Sequence, residues 1–435
     1  MEKKLKKSNY ALLGLALAVN AAHAQTSSTQ VELYGVLDVA VGTVEHSLSV
    51  DPNFPFGVNP VSPTSSVHVP NSVTGMFNGG VSDSRWGIRG SEDLGAGMKA
   101  VFTLESGFNL PNGALNNGAA SLASNTSAGP NVSANTSLNG QFFNRAANVG
   151  LADSNLGTIT FGRNYGPIFD IVVSYDPVQA ADLFSPLGFS GTYGGGGGVS
   201  EDTRIDNSVR YKNKIGDVNF GGFYKMGGVA GMSTAQSGYG LNVGYEAGDF
   251  GIQGAYEEFT DALKTGNSAI AGDINVTNYN TTAFFLAAKY RFGDATIRGG
   301  YETYTIKAPS DSLVSMGVTS LYGYTVGNAT SASANFSAAD QTTDIWFIGG
   351  DYNFSPSLNL ALGFYDIMPK ESDDHKQLDG NAYYYSALLD YHFSKRTDVY
   401  AGYMYDQFKG ANFSAPFASY NTTNYIAAIG IRTKF

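Results

Sequence analysis

Charged side chains recur on one side of short segments whose other side is apolar. Arg85 and Arg89 stand on one side of the segment from 84 to 94, and Trp86 and Ile88 stand on the other. Fixed charges aligned on one face cannot by themselves break or form bonds, but they set up a field that attracts ions of one sign and repels the other. The chemistry that these residues indicate is therefore selection of charged solutes.

The same alternation extends this set of charges along the chain. An arginine that faces lipid at the bilayer centre costs about 2–4 kcal/mol, so in a membrane-spanning strand the charged side is expected to face water. Arg163 shares its parity with Ile159 and Phe161, and a local bulge or a position under a loop would be needed to turn it inward. The candidate lining residues are Arg85, Arg89, Lys99, Glu105, Arg145 and Arg163, and Arg210, Lys289, Arg291 and Arg298 follow the same pattern.

The third long connection, residues 165–206, combines three aspartates with an unusual number of apolar residues. Asp170, Asp176 and Asp182 stand among isoleucine, valine, leucine and phenylalanine residues, which would be unusual in an exposed loop. We expect this loop to fold into a lumen, so that its apolar residues pack on the wall and its aspartates face basic residues across the opening. The alternative is an external loop whose aspartates only keep it solvated.

The residue types that enzymes need are sparse. The chain has five histidines and no cysteine, and it contains no G-x-S-x-G, H-E-x-x-H or P-loop motif. The glycine run at 194–198 has no following Lys-Ser or helix, which favours a flexible loop segment over a phosphate site. A Ser-His-acid triad stays open, because such triads are defined in space. We therefore expect no catalytic residue, no metal site and no cofactor.

The segments that position these residues alternate with period two and number sixteen. Tyr425, Ile429 and Phe435 share one side of the last segment, which must pair with the first segment if the sheet closes. Seven short turn-like connections alternate with eight long ones, as in outer-membrane barrels with short periplasmic turns. The predicted strands are 31–42, 84–94, 98–108, 143–152, 157–164, 207–214, 218–226, 238–247, 250–260, 281–292, 295–306, 341–354, 357–368, 382–393, 397–408 and 422–435.

The distribution of large aromatic residues separates a membrane barrel from a soluble sandwich or solenoid, which would also alternate. A sandwich places its largest residues in mid-strand, facing the other sheet. Here the aromatic pairs stand just before short turns, on the apolar side, where a barrel carries its interfacial girdle. These pairs are Tyr290 with Phe292, Tyr352 with Phe354, and Tyr391 with Phe393.

The beginning of the chain predicts export. Residues 1–24 contain a basic start, a short apolar stretch and Ala22-His23-Ala24, which together are typical of a secretory signal peptide rather than of a membrane anchor. The barrel is then expected over residues 25–435. The formal net charge is −11, and the signal carries four lysines and one glutamate, so the mature chain is near −14. This acidity argues against a nucleic-acid partner.

Four blocks of sequence resemble the general, trimeric porins of Gram-negative bacteria, especially the Neisseria and Burkholderia type. The blocks are YGVLDVAVG, SRWGIRGSEDLGAGMKAVFTLESGFNL, FNRAANVGLADSNLGTITFGRNY and the terminal phenylalanine. The resemblance implies a homotrimer of sixteen-stranded antiparallel barrels in the outer membrane, each narrowed by its third loop. It also implies that Arg85, Arg145 and Arg163 form a basic ladder opposite that loop. The loop lacks the Pro-Glu-Phe-Gly-Gly stretch of some relatives, so the constriction pair stays open.

The leading hypothesis is therefore a general diffusion porin, a water-filled channel for ions and small hydrophilic solutes. The alternative is a substrate-specific channel, for which a run of aromatic residues along the lumen would be expected, and an outer-membrane enzyme is a third hypothesis. The expected partners are further copies of the chain, outer-membrane lipid and lipopolysaccharide. By resemblance, Phe435 is also the residue that the barrel-assembly machinery recognises.

Overall fold

The computed structural model describes most of the strand regions and part of the third loop. The described residues are 29–46, 71–113, 115, 142–187, 204–227, 234, 237–260, 280–307, 320–321, 324–325, 341–371, 380–410 and 423–435. The predicted signal peptide, residues 1–24, lies outside these ranges. No helix in the described part of the chain is long and apolar enough to cross a membrane.

The described residues form antiparallel strands and one short helix, α1, at Pro167–Tyr175. The helix lies inside the third long connection, between β6 and β7. The strands are β1 Gln30–His46, β2 Asn71–Asn78, β3 Arg85–Gly95, β4 Met98–Gly107, β5 Ala146–Asp153, β6 Gly157–Tyr165, β7 Arg204–Ile215, β8 Val218–Lys225, β9 Gly238–Ala247, β10 Phe250–Phe259, β11 Asn280–Phe292, β12 Ala295–Lys307, β13 Ser320–Leu321, β14 Tyr324–Thr325, β15 Gln341–Ser355, β16 Leu358–Glu371, β17 Gly380–His392, β18 Thr397–Gly410 and β19 Thr423–Lys434.

The sheet closes on itself, because β1 pairs with β19 over its whole shared length. Val36 stands opposite Lys434, and His46 stands opposite Asn424. On its other side β1 pairs first with β3 and then with β2, so those two strands occupy one position of the wall. With β13 and β14 set apart as a small separate sheet, the wall has sixteen positions. The predicted sixteen-stranded antiparallel barrel is confirmed, because each of its sixteen positions pairs with a neighbour on either side.

The first long connection differs from the prediction. It was expected to run from 43 to 83, but β1 extends to His46 and β2 occupies Asn71–Asn78. The β2 sequence NSVTGMFN has little apolar alternation, and for this reason the pattern did not predict a strand. Its pairing with β1 includes a hydrogen bond between the hydroxyls of Thr43 and Thr74, which are 2.8 Å apart.

The two faces of the wall have opposite character. In β11 the side chains of Phe284 and Leu286 are exposed, whereas Phe285 and Ala287 are buried on the inner side. The three aromatic pairs before the short turns are exposed on the outer face, as a lipid-facing girdle requires. Phe435 joins them, because its ring lies against Gly35 and its backbone exchanges two 3.1 Å hydrogen bonds with that residue.

Candidate functional site

Four arginines converge on one side of the lumen because of where they stand on their strands. Arg85 begins β3, Arg145 directly precedes β5, Arg163 lies near the end of β6, and Arg204 begins β7. In neighbouring antiparallel strands these positions are all at the same, non-periplasmic end, so the side chains meet at similar depth. Together with two cations further along β7 they form a group that we name the basic wall: Arg85, Arg145, Arg163, Arg204, Arg210 and Lys212.

Glu105 lies at the centre of the basic wall and accepts hydrogen bonds from three sides. The Nε of Arg145 donates to Oε1 at 2.8 Å, and the hydroxyl of Tyr165 donates to the same oxygen at 2.6 Å. The hydroxyl of Tyr34 donates to Oε2 at 2.9 Å, and the Nε of Arg85 is 3.8 Å away. The sequence predicted Glu105 as a lining residue, but its carboxylate is buried among these donors. It therefore positions the arginines more than it meets solute.

Arg204 belongs to the same cluster, although the sequence did not predict it. Its guanidinium carbon lies 5.9 Å from the ring centre of Tyr165, and that of Arg145 lies 5.8 Å from the same ring. Both arginines also approach Asp83, at 2.8 Å for Arg145 and 3.8 Å for Arg204. Arg204 was missed because it stands in the last residues of the long connection, outside any visible alternation.

A bulge in β6 determines which face of the strand carries the side chain of Arg163. The pairing of β6 with β7 shifts register between Gly162 and Asn164, and Gly162 has a φ of +126° that only glycine adopts readily. The bulge turns Arg163 away from lipid. Its Nη1 lies 2.5 Å from the Oδ1 of Asp206, and its Nε donates to the carbonyl of Asn144 at 2.9 Å.

The third loop folds into the lumen through helix α1. Gly166 is the N-cap and Pro167 opens the helix, where a missing N–H costs nothing. Ile168, Ile171 and Tyr175 are among the buried residues of the helix, and its contacts are with β8–β12. At its start the backbone N–H of Ile168 donates to the carboxylate of Glu257 at 2.9 Å, which satisfies a helix-end donor from the wall.

Asp170 faces the basic wall from this helix. Its Oδ2 lies 2.5 Å from Arg210 Nη2 and 2.6 Å from Lys212 Nζ. Partial burial would raise the pKa of Asp170, but the two cations outweigh it and hold that pKa below its ordinary value. Both partners are on β7, beside the helix. These ion pairs therefore lie on one side of the lumen, whereas the sequence predicted that they would cross the opening.

Asp176 does not face a basic residue, contrary to the sequence-based expectation. It follows the last residue of α1, is fully buried, and accepts hydrogen bonds from the hydroxyl of Tyr365 at 2.6 Å and of Ser185 at 3.0 Å. The backbone N–H groups of Val178 and Ala180 donate to its other oxygen at 3.1 and 2.7 Å. Burial outweighs these four donors and raises the pKa of Asp176 to about 6. The residue therefore holds the loop on the wall.

Asp182 lies near other carboxylates. Burial and the neighbouring Asp83 raise the pKa of Asp182 well above its ordinary value. One of its oxygens is 3.0 Å from the place where a side-chain carbon would stand at Gly79. Asp182 therefore packs against the residues that precede β3.

Arg89 and Lys99 are not brought to the cluster. Both are exposed, Arg89 in the part of β3 that leads to its short turn and Lys99 directly after that turn. Arg89 pairs with the exposed Glu32 at 2.8 Å. These two cations therefore lie toward the periplasmic mouth and away from the third loop.

The side of the lumen formed by β17–β19 carries a second group of charged residues. Arg432 lies 3.1 Å from Asp398 and 3.5 Å from Asp390, and His392 is 3.9 Å from Asp390. In the described part of the chain Asp390, His392 and Asp398 form the group with metal-ligand spacing. Arg432 already supplies a positive charge between the two carboxylates, so an ion is not needed there. The sequence did not predict this group.

Comparisons with known proteins agree with this architecture. An outer membrane porin protein of Bordetella pertussis is 29% identical over 278 residues, and the alignment covers 61% of this chain and 62% of that relative. Outer membrane porin protein 32 of Delftia acidovorans is 28% identical over 295 residues, or 68% of each chain. The alignment thus spans under two thirds of the Bordetella relative.

Solved structures are similar in fold at low sequence identity. An anion-selective porin from Comamonas acidovorans matches with a TM-score of 0.62 and 20% identity, covering 94% of this chain and 100% of that one. OmpT of Vibrio cholerae matches with a TM-score of 0.58 and 14% identity, covering 95% and 99%. Residues 11–411 match the profile of the Gram-negative porin family. The chain therefore belongs to the Gram-negative porin family of outer-membrane proteins.

Proposed function

We propose that the chain is a general diffusion porin, a water-filled channel for passive passage of ions and small hydrophilic solutes, with no catalytic step. The observation that carries the proposal is helix α1, which lies inside the barrel beside the basic wall. Sixteen strands enclose more space than their side chains fill, and an inserted loop reduces that space to a neck. The neck is lined by charge, so it discriminates between solutes mainly by size and sign.

We propose further that the neck prefers anions. The six cations of the basic wall contact four carboxylates, namely Asp83, Glu105, Asp170 and Asp206, which leaves two positive charges in excess among these described residues. On the side formed by β17–β19, Arg432 contacts two carboxylates, so that side has no such excess of cations over carboxylates. The difference sets a field across the lumen. The similar Comamonas protein bears the description anion-selective, which supports the same preference.

The test is conductance of the purified protein in planar bilayers. We expect stepwise insertion of open channels with ohmic conductance in simple salts, and no saturation by a single solute. Insertion without conductance, or conductance that saturates with one sugar or acid, would contradict a general diffusion channel.

A substrate-specific channel finds less support in the lumen. The inward aromatic residues that could guide a sugar are covered by the third loop or by one another. Phe184 of the loop packs edge-on against Tyr400, with 6.4 Å between the ring centroids. Phe347 packs between Phe285 and Tyr365, and its ring centroid lies 5.7 Å and 6.3 Å from theirs. These side chains are therefore packing groups and do not form a free aromatic run for solutes.

We also propose that the chain works as a homotrimer in contact with outer-membrane lipid and lipopolysaccharide, and that Phe435 is read by the barrel-assembly machinery. The exposed aromatic girdle supports lipid contact, and the exposed Phe435 ring at the periplasmic end supports recognition there. One matched Vibrio cholerae structure is described as a trimer form. Deletion of Phe435 should lower the yield of folded trimers while leaving the conductance per trimer unchanged. Normal yield would contradict the proposed recognition.

A further inference from the structure

The second position of the wall is interrupted beside the third loop. β2 ends at Asn78 and β3 begins at Arg85, while β1 runs past both without a break: Val36 pairs with Arg85, and Val39 pairs with Asn78. Six residues, 79–84, therefore stand where two would complete the ladder. Extra residues cannot stay in the sheet, so they must leave its plane. We name residues 79–84 the inward turn, because their contacts are inside the barrel.

Asp38 of β1 holds the inward turn in place. Its Oδ1 accepts from the backbone N–H of Gly80 at 3.1 Å, and its Oδ2 accepts from Val81 at 3.2 Å and Ser82 at 2.8 Å. The hydroxyl of Ser84 donates to the Asp38 carbonyl at 2.9 Å and accepts from its N–H at 3.0 Å. Asp38 is fully buried. The backbone groups released by the break in the ladder are thus satisfied by two side chains, those of Asp38 and Ser84.

Two glycines allow the turn to approach the third loop. Gly79 has a φ of +68°, and a side-chain carbon at Gly80 would collide with the hydroxyl oxygen of Tyr400. The carbonyl of Gly80 accepts a hydrogen bond from the backbone N–H of Leu183 at 3.0 Å. The inward turn and the third loop are therefore joined directly inside the lumen.

The inward turn places Asp83 against the basic wall. Its Oδ2 lies 2.8 Å from Arg145 and 3.8 Å from Arg204, and its carbonyl accepts from Arg85 at 3.0 Å. The Asp83 side chain is 28% exposed, whereas those of Arg145 and Arg204 are 8% and 4% exposed. Of the two carboxylates that contact Arg145, Asp83 is thus the accessible one, since Glu105 is 9% exposed, and Asp83 comes from a break in the wall and not from the third loop.

We infer that Asp83 is a specificity-determining residue of the neck. Its negative charge offsets part of the excess positive charge of Arg145 and Arg204, and it therefore sets how strongly the neck prefers anions. A passing anion competes with Asp83 for these two guanidinium groups, whereas a passing cation is attracted by it. The inference deepens the proposed channel function and rests on it.

The experiment compares Asp83→Asn with wild type in planar bilayers under a salt gradient. Removing one unit charge within several ångströms of the ion path should raise the ratio of anion to cation permeability about threefold. The matched control is Glu32→Gln, which removes the same charge from an exposed pair near the periplasmic mouth and should leave the ratio unchanged. Asp83→Glu, which restores the charge, should return the ratio toward wild type. Channels of Asp83→Asn with an unshifted ratio would overturn the inference.

A second variant tests the inference if Asp83→Asn does not fold. The chain has no cysteine, so Ser82→Cys in the inward turn provides a single thiol for labelling. A sulfonate adduct should lower the anion preference and a trimethylammonium adduct should raise it, while both adducts at Asn155→Cys in a periplasmic turn should have no effect. Equal results for both signs at position 82 would overturn the inference. A silent wild-type protein would instead overturn the channel function on which it rests.

Discussion

The two halves of the described third loop meet the wall in different ways. The first half, helix α1, presents Asp170 to the exposed end of the basic wall at Arg210 and Lys212. The second half, residues 176–187, is anchored by the buried Asp176 and by Phe184. The ion pair of Asp170 with Lys212 is partly exposed, and such pairs contribute little to stability, whereas the carboxylate of Asp176 is fully buried and accepts four hydrogen bonds that hold the loop on the wall. The charge of the neck and the position of the loop therefore depend on separate sets of residues.

The largest expected effect comes from the anchored half. Asp176→Ala leaves four donors without their acceptor, and each of the three that are buried costs about 1–3 kcal/mol. The loop should lose its position, so that single-channel conductance rises and becomes noisy and the thermal midpoint in detergent falls. Ser174→Ala, an exposed change on the helix, is the control. Steady wild-type conductance in Asp176→Ala would show that the loop is held by other contacts.

The basic wall, which the first half of the loop faces, should control selectivity without changing the aperture. Arg145→Gln removes one cation from the contacts with Glu105 and Asp83. The ratio of anion to cation permeability should fall about threefold, because one unit charge is lost beside the ion path. Conductance at high salt should change little, since screening weakens the field. A large change in conductance at unaltered selectivity would contradict the assignment of selectivity to the basic wall.

The two halves should also respond to acid with opposite sign. The pKa of Asp176 is raised to about 6 in the folded protein, so between about pH 4 and 6 the folded state binds more protons than the unfolded chain. The contribution of Asp176 to the free energy of unfolding therefore falls as the pH rises through this window. The pKa of Asp170 is lowered, so its stabilising contribution is present above about pH 4 and lost below it.

This difference is measured from thermal midpoints of the wild type, Asp176→Asn and Asp170→Asn in detergent at several pH values. The midpoint of Asp176→Asn relative to wild type should rise as the pH increases from about 4 to 6, because the variant lacks the group whose contribution falls there. The relative midpoint of Asp170→Asn should rise as the pH falls below about 4. Parallel curves for all three proteins would refute the assignment of both carboxylates.

The smallest effect is expected at the periplasmic mouth. Arg89 and its partner Glu32 are both exposed, and such pairs contribute about 0–1 kcal/mol. Arg89→Gln should therefore change neither the thermal midpoint nor the permeability ratio by more than the scatter of the measurement. A shift as large as that of Arg145→Gln would mean that the selective region extends far beyond the third loop.

The alternation of apolar and polar residues predicted the barrel well, because the sequence of each strand shows which of its sides faces lipid. The bounds of β9, Gly238–Ala247, coincide with the predicted 238–247, and those of most other strands differ by only a few residues. The pattern failed at β2, whose polar residues give no alternation although its partner β1 is strongly amphipathic. For Arg163 the pattern indicated either a bulge or a position under a loop, and a bulge is present.

The site was harder to predict because its contacts join residues far apart in sequence. The partner of Asp176 is Tyr365, 189 positions away, and no local pattern indicates that pairing. Asp83 and Arg204 stand at the ends of long connections, where alternation carries no information. Their roles follow from a break in one strand and from the start of another. Sequence thus indicated which charges turn inward, but not which of them are neutralised by neighbours.

The assignment of the neck to the basic wall is tested most directly by the reversal potential of the wild-type channel in a tenfold gradient of potassium chloride near neutral pH. The basic wall carries more cations than carboxylates, so chloride should permeate more readily than potassium, and the sign of the potential should show it. A reversal potential of the opposite sign, or one of zero, would contradict the assignment of the neck to the basic wall.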